Sequence, residues 1–410
     1  MSNHERRRPA DRMTDVSLSG IREIYEALTA WAAVHPGEKP IPFHFGMPDF
    51  DTPEHIKQAL YKAVREGFVR YTGSRGTPEL LAALSRKLER ENHIAADPAR
   101  NLVVTCGANE AISASIVALV DPGDEVIIPD PAWPHYEQCV RLAGATALPC
   151  ALHPDDGFEM RATQVQSLIT PRTRMIVINS PHNPTGSVLT REEVSRIAEL
   201  ARDNKIWLLS DEAYERIVYD TEHVSPASLA NMQDTVITIG CLSKTYAMTG
   251  WRIGYFCGPE EAADAVNRVH LYTVSCAASF SQKAAVAALD GDDHCVQSMV
   301  EEYRRRRDLI VRLLSEIPGV EVGVPAGAFY AFPNVKSFGM PSRDIALRLV
   351  NQAGVGAVHG SSFGPAGEGF LRLAYACSED DIREGVRRMA RTLAQMRPGS
   401  DDRLRVANVH

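Results

Sequence analysis

Between about residue 50 and residue 290, short apolar runs alternate with stretches of helical periodicity. No other feature restricts the fold as strongly. The runs 101–106, 125–129, 174–179, 206–210, 235–239 and 253–257 are apolar and β-rich. Helical patterns lie between several of them, for example 192–203 behind Thr190, a residue suited to cap a helix start. Strand–helix alternation of this kind predicts an α/β layer fold with a mostly parallel sheet.

Beyond residue 290 the pattern changes. One long charged helix is expected over 292–316, then a smaller α+β unit to about residue 397. The four arginines 304–307 within that helix read as a solvated face paired at i,i+4 with Glu301 and Glu302. The expected organisation is a polar, disordered tail over 1–13, a large domain over 48–291, a small domain from 14–47 and 292–397, and a polar tail over 398–410. A chain of 410 residues is long enough for two domains.

The formal net charge of -8 argues against a nucleic-acid surface. No apolar stretch is long and charge-free enough to span a bilayer. The eight cysteines are scattered without a CxxC pair, which fits buried thiols in a reducing compartment better than disulfides or a zinc site. No metal site is expected, and the cytoplasm is the expected location.

Four segments carry chemistry, most at expected carboxyl ends of strands, where open α/β sheets bind ligands. Gly107, Ala108 and Asn109 follow the first run at a helix start, where free N–H groups can hold a phosphate, or can serve only as a connection. Asn183 sits in a rigid Pro-rich turn, and its amide either donates to a ligand or merely forms the turn. Asp211 ends an apolar run, so its carboxylate needs a cationic partner if buried; it could instead cap a helix. Lys244 follows the run 235–239 with Ser243 beside it and Arg252 beyond. A hydroxyl with a guanidinium suits a phosphate, whereas a surface lysine is the plain alternative. Trp133 and Tyr71, taken alone, read as core aromatics.

The order and spacing of these blocks resemble the class I/II pyridoxal-phosphate-dependent aminotransferases, of fold type I, over 16–397. The matching text includes Gly46-Met47-Pro48-Asp49-Phe50, Tyr71-Thr72-Gly73-Ser74-Arg75-Gly76, Asn183-Pro184-Thr185-Gly186, Asp211-Glu212-Ala213-Tyr214 and Ser243-Lys244-Thr245. Gly327-Ala328-Phe329-Tyr330 and Phe370-Leu371-Arg372-Leu373 complete it. The resemblance implies a mostly parallel seven-stranded sheet between helices and a smaller α+β domain. It implies that Lys244 carries pyridoxal 5'-phosphate as a Schiff base and moves the substrate proton. By the same resemblance, Asp211 faces the pyridine nitrogen, Tyr214 and Asn183 face the ring oxygen, and Trp133 stacks on the ring. Gly107, Ala108, Asn109, Ser243 and Arg252 hold the phosphate, Tyr71 reaches the partner subunit's cofactor in a homodimer, and Arg372 clamps the substrate α-carboxylate with help from Gly46 and Asn183.

Three positions depart from the family's text. Cys241 stands where Ser or Gly is usual, His359 where many relatives have Pro, and Asn109 where some aspartate-type members have Lys. His359 is expected to be an exposed loop residue, and Asn109 weakens an acidic substrate. The implied activity is transfer of the α-amino group of an L-amino acid to a 2-oxo acid. A lyase or cyclising enzyme of the same fold shares Lys244, Asp211 and Arg372. A regulator with a DNA-binding module is disfavoured, because only about fifteen residues precede the domain.

Overall fold

The computed structural model describes residues 8–396. The expected tail 398–410 and the first seven residues of the expected tail 1–13 lie outside them. Seven strands form the main sheet: β1 (Leu102–Thr105), β2 (Glu125–Asp130), β3 (Thr146–Ala151), β4 (Thr173–Asn179), β5 (Trp207–Asp211), β6 (Val236–Cys241) and β7 (Gly254–Cys257). Their spatial order is β1-β7-β6-β5-β4-β2-β3. Only β7 runs against its neighbours, pairing antiparallel with β1 and with β6.

Both faces of this sheet are covered, which is why its strands read as continuous apolar runs. Successive residues of one strand enter different cores. Val103 packs into one cluster and Leu102 and Val104 into the other; Val177 and Ile178 divide in the same way. Each such fully buried side chain contributes about 1.5–3 kcal/mol through removal from water. The strand absent from the sequence reading is β3. It lies at the sheet edge, pairs only with β2 and carries Pro149, whose missing N–H is tolerated there. Most of its residues are at least partly exposed, so no apolar run marks it.

A second, antiparallel sheet contains β8 (Tyr330–Ala331), β9 (Val358–His359) and β10 (Leu371–Ala374), with β10 in the centre. The helices Gly20–Val34, Ser342–Ala353 and Glu379–Ala394 accompany it. Asp11–Thr14, within the expected tail, forms an exposed 3-10 turn.

The long helix spans His294–Ser315 and corrects the reading of its arginine run. Arg306 and Arg307 are buried, not solvated. Arg306 keeps the expected i,i+4 pair with Glu302 at 2.9 Å, but it also pairs with Asp49 at 2.7 Å and lies against the rings of Phe50 and Tyr303. Arg307 pairs with Asp220 at 2.7 Å and covers Tyr219. Only Arg305 keeps solely a local acidic partner, Glu302. Spacing along one helix could not show that the partners lie in other segments.

Candidate active site

The carboxyl ends of β1, β2, β4, β5 and β6 share one edge of the sheet. Antiparallel β7 begins at that edge, because Gly254 pairs with both Thr105 and Cys241. Arg252 therefore arrives beside Gly107 and Ala108. The junction is tight: a Cβ on Gly107 would lie 2.5 Å from the Arg252 guanidinium, and one on Gly254 would lie 2.5 Å from the Gly107 carbonyl carbon. Gly107 has φ of 83°, a conformation that disfavours other residues. The helix Ala108–Leu119 starts there without a capping side chain, leaving first-turn N–H groups to the cavity.

That cavity measures about 240 Å³. Its charged lining is Asp211, Lys244, Arg252 and Arg372, three cations against one carboxylate. Lys244 emerges from the single turn Leu242–Thr245 after β6 and donates to the Gly46 carbonyl at 2.5 Å. Burial lowers its amine to about 8, against the smaller opposing pull of Cys241, so a neutral amine is accessible near neutral pH. The surface-lysine alternative is excluded by this position.

Asp211 is buried, and burial pushes its carboxyl up to about 6. Its two oxygens accept from the Tyr136 hydroxyl at 2.6 Å and from the Ala213 N–H at 3.1 Å. No helix follows it, so it does not act as a helix cap. Tyr214 and Tyr330 share a hydroxyl–hydroxyl bond of 2.6 Å.

Arg372 is 1% exposed, yet none of the ion pairs among the described residues includes it. It donates to the Asn183 side-chain oxygen at 3.1 Å and the His44 carbonyl at 2.6 Å, and its Nε has no partner. The rings of Tyr330 and Phe363 flank it at 4.7 and 4.9 Å. A buried guanidinium without a counterion is costly and calls for an anion. Among the described residues Arg252 likewise donates only to the carbonyls of Thr249 and Cys106.

Of the residues singled out in the sequence, Gly46, Ala108, Asn109, Trp133, Asn183, Asp211, Tyr214, Ser243, Lys244, Arg252 and Arg372 line one cavity. Gly107 stands behind Arg252. Gly46 has no room for a side chain, because a Cβ would overlap the Tyr330 hydroxyl. Trp133 is part of the cavity wall, half-buried. Tyr71 is not core: it is 90% exposed and lies outside this cavity. Cys241 faces the cavity. His359 is buried in β9, not exposed in a loop; its ring contacts Ser361, Ser362 and Glu23. Tyr136, Tyr330 and Asn179 also line the cavity and were not assigned roles from sequence.

The eight cysteines are free thiols, half of them buried. Glu212, Glu215 and His223 bring potential metal-ligating atoms within 4.8 Å of one another. The Lys87 ammonium bonds Glu215, and Asn92 bonds both carboxylates, so protein donors already satisfy this cluster. Among the described residues no helix is long and apolar enough to cross a membrane.

The cavity fits the group implied by the resemblance: a carboxylate for a ring cation, an amine for a carbonyl, and an arginine at a helix start for a phosphate. Comparisons with known proteins agree in kind. The aminotransferase class I and II family matches residues 38–389. A probable N-acetyl-LL-diaminopimelate aminotransferase of Bacillus subtilis is 40% identical over 92% of this chain and 93% of that protein. An aromatic-amino-acid aminotransferase of Thermococcus litoralis is 36% identical over 94% and 98%. The structure of Thermus thermophilus aspartate aminotransferase with maleate superposes with a TM-score of 0.90 at 36% identity, over 94% of this chain and 100% of that one.

Proposed function

The chain belongs to the class I and II aminotransferases, and from that premise we propose that it moves an α-amino group from an L-amino acid to a 2-oxo acid with pyridoxal 5'-phosphate held at Lys244. Relatives named as aminotransferases support the transferase and not the lyase or cyclising alternative. The observation that carries the cofactor reading is the surplus of cations in one cavity, with a lysine whose amine is driven toward neutrality. When bound, the cofactor supplies a carbonyl that condenses with amines and a ring that takes up electrons from the substrate α-carbon.

The protein's own groups then divide the work. Lys244, beside the Gly46 carbonyl, holds and moves the proton at the α-carbon; its lowered basicity suits general base catalysis near neutral pH. Asp211 keeps a proton on the ring nitrogen. That opposing positive charge draws the carboxyl below the value burial alone gives it. The Asn183 oxygen is engaged by Arg372, which leaves its amide N–H groups to donate into the cavity beside Tyr214. Trp133 covers the ring face. Gly107, Ala108, Asn109, Ser243 and Arg252 cradle the phosphate, with Cys241 in place of one hydroxyl. Arg372 takes the α-carboxylate in a two-bond fork, next to Gly46.

Exposed Tyr71 has no place in its own cavity, which supports a homodimer in which it reaches the partner's site. Two separate sheets support the division into a large domain over 48–291 and a small one from 14–47 and 292–397. The cytoplasm is the proposed location. The purified protein is expected to be yellow and to lose that absorbance on mixing with a donor amino acid as a 2-oxo acid forms. Lys244→Ala is expected to lower kcat by about 10²–10⁴-fold or more. Protein that takes up no pyridoxal phosphate, or a variant with unchanged turnover, contradicts the reading.

A further inference from the structure

A second cavity, of about 640 Å³, adjoins the first. Trp133 lines both. Ile21 lines the first and its chain neighbour Gly20 the second. Phe363 lines the second and lies against the Arg372 guanidinium. A substrate anchored by its α-carboxylate at Arg372 thus has this space within reach of its side chain, past Ile21 and Trp133.

The space is built by specific contacts. A Cβ on Gly20 would overlap the Ser362 hydroxyl and come 2.8 Å from His359 Nε2, so the chain passes close over the 359–362 loop. On the other side, the Ser17 N–H donates to Gln138 at 3.1 Å, and Arg141 donates to the Asp15 carbonyl at 2.7 Å. Residues 15–20 therefore bridge that loop and the helix His135–Leu142 as a roof.

Its charge is one-sided. The carboxyls of Glu23, Asp130 and Glu137 line it, and among the described residues no lysine or arginine does. Glu23 is paired with Arg343 and Glu137 with Arg141, from outside the lining. Among the described residues Asp130 meets no cation, and its oxygens accept only from the Ala366 N–H, at 3.1 and 3.3 Å. Burial disfavours the charged forms of the two lining histidines, His135 and His359. A carboxylate entering here finds no cation, whereas N–H donors find several acceptors.

We infer that this second cavity receives the distal end of a long amino-acid side chain that terminates in nitrogen donors, and that it rejects dicarboxylic amino acids. The inference rests on the aminotransferase and Lys244 reading above. Holoenzyme is mixed with arginine, lysine, glutamine, alanine, aspartate and glutamate, and kcat/KM is read from the cofactor absorbance and the 2-oxo product. Nitrogen-terminated donors are expected to exceed aspartate and glutamate by at least about tenfold. Arginine and lysine against glutamine distinguish a cation from a carboxamide; either satisfies the inference. In Asp130→Asn, and independently in the partly exposed Glu23→Gln, the ratio of the best such donor to alanine is expected to fall by about tenfold. Preference for dicarboxylates, equal rates for both classes, or an unmoved ratio in both variants overturns the inference and leaves the aminotransferase reading intact. Failure to transfer an amino group from any donor overturns both.

Discussion

The Tyr136 hydroxyl donates a 2.6 Å hydrogen bond to Asp211 Oδ2, and both side chains are buried. The bond selects the ionised carboxylate, because a protonated acid gives up acceptor capacity. It also ties Asp211 to the ring wall, since Tyr136 meets Trp133 edge-on with centroids 5.6 Å apart. One tyrosine therefore steadies two of the groups assigned to the cofactor ring.

Tyr136→Phe removes that donor while keeping the packing. A hydrogen bond to a charged group contributes about 1.5–3 kcal/mol, so the affinity for pyridoxal phosphate is expected to fall by about 10–100-fold. Equilibrium titration of the apoenzyme measures this directly. An affinity within about twofold of the parent would mean that the Ala213 N–H alone holds Asp211.

Lys244 gives a pH dependence with a defined sign. Its folded value of about 8 lies below the ordinary 10.5 of lysine. Between those values the unfolded chain binds the proton that the folded apoenzyme has released, so stability from this residue rises with pH across that window. Below it both states are protonated and the folded state bears the full cost of a buried ammonium. Apoenzyme Lys244→Met is thus expected to melt higher than the parent at pH 7, with the gap narrowing from pH 8 to 10.5. A gap that stays constant over that range contradicts the lowered value.

The site roles of Lys244, Asp211 and Arg252 came from the order and spacing of the blocks, whereas the strands that end before Lys244 and at Asp211, and the one that follows Arg252, were legible as apolar runs. The sheet itself was legible for the same reason, apart from edge strand β3, whose exposed residues and Pro149 erase the signal. Tyr136 was not, since its partner is 75 positions away and nothing local distinguishes it from a core tyrosine. The burial of His359 and of Arg306 was not legible for a related reason. Local spacing shows whether a charge has a neighbour on its own helix, not whether another segment buries it.

Arg306 and Arg305 provide an internal comparison. Arg306 joins the helix His294–Ser315 to Asp49, near the Gly46 carbonyl that holds Lys244. Arg305 meets only Glu302 and is largely exposed. Arg306→Leu is expected to destabilise by about 1–2 kcal/mol, because it removes the charge-assisted bonds of a buried guanidinium to Asp49 and Glu302 and its stacking on Phe50 and Tyr303. Arg305→Ala is expected to stay within about 0.5 kcal/mol. Denaturant unfolding of the two holoenzymes checks this, and equal losses would mean that buried Arg306 contributes no more than exposed Arg305.

Arg372 makes the strongest demand on a substrate. Its positive charge is buried and, among the described residues, has no acidic partner and no acceptor for its Nε, while Asn183 and the His44 carbonyl fix the plane of the guanidinium. An α-carboxylate completes this arrangement whatever the side chain, so loss of the fork should weaken all donors alike. Arg372→Lys retains charge but presents a point donor in place of a planar pair. A charge-assisted, two-bond contact contributes about 3 kcal/mol or more, so KM is expected to rise by about 10²-fold for every amino donor, with a smaller change in kcat. Steady-state kinetics with alanine and one longer donor decide the matter. An increase confined to one donor would place Arg372 at the side chain instead of the carboxylate, and an unchanged KM would remove it from the binding site.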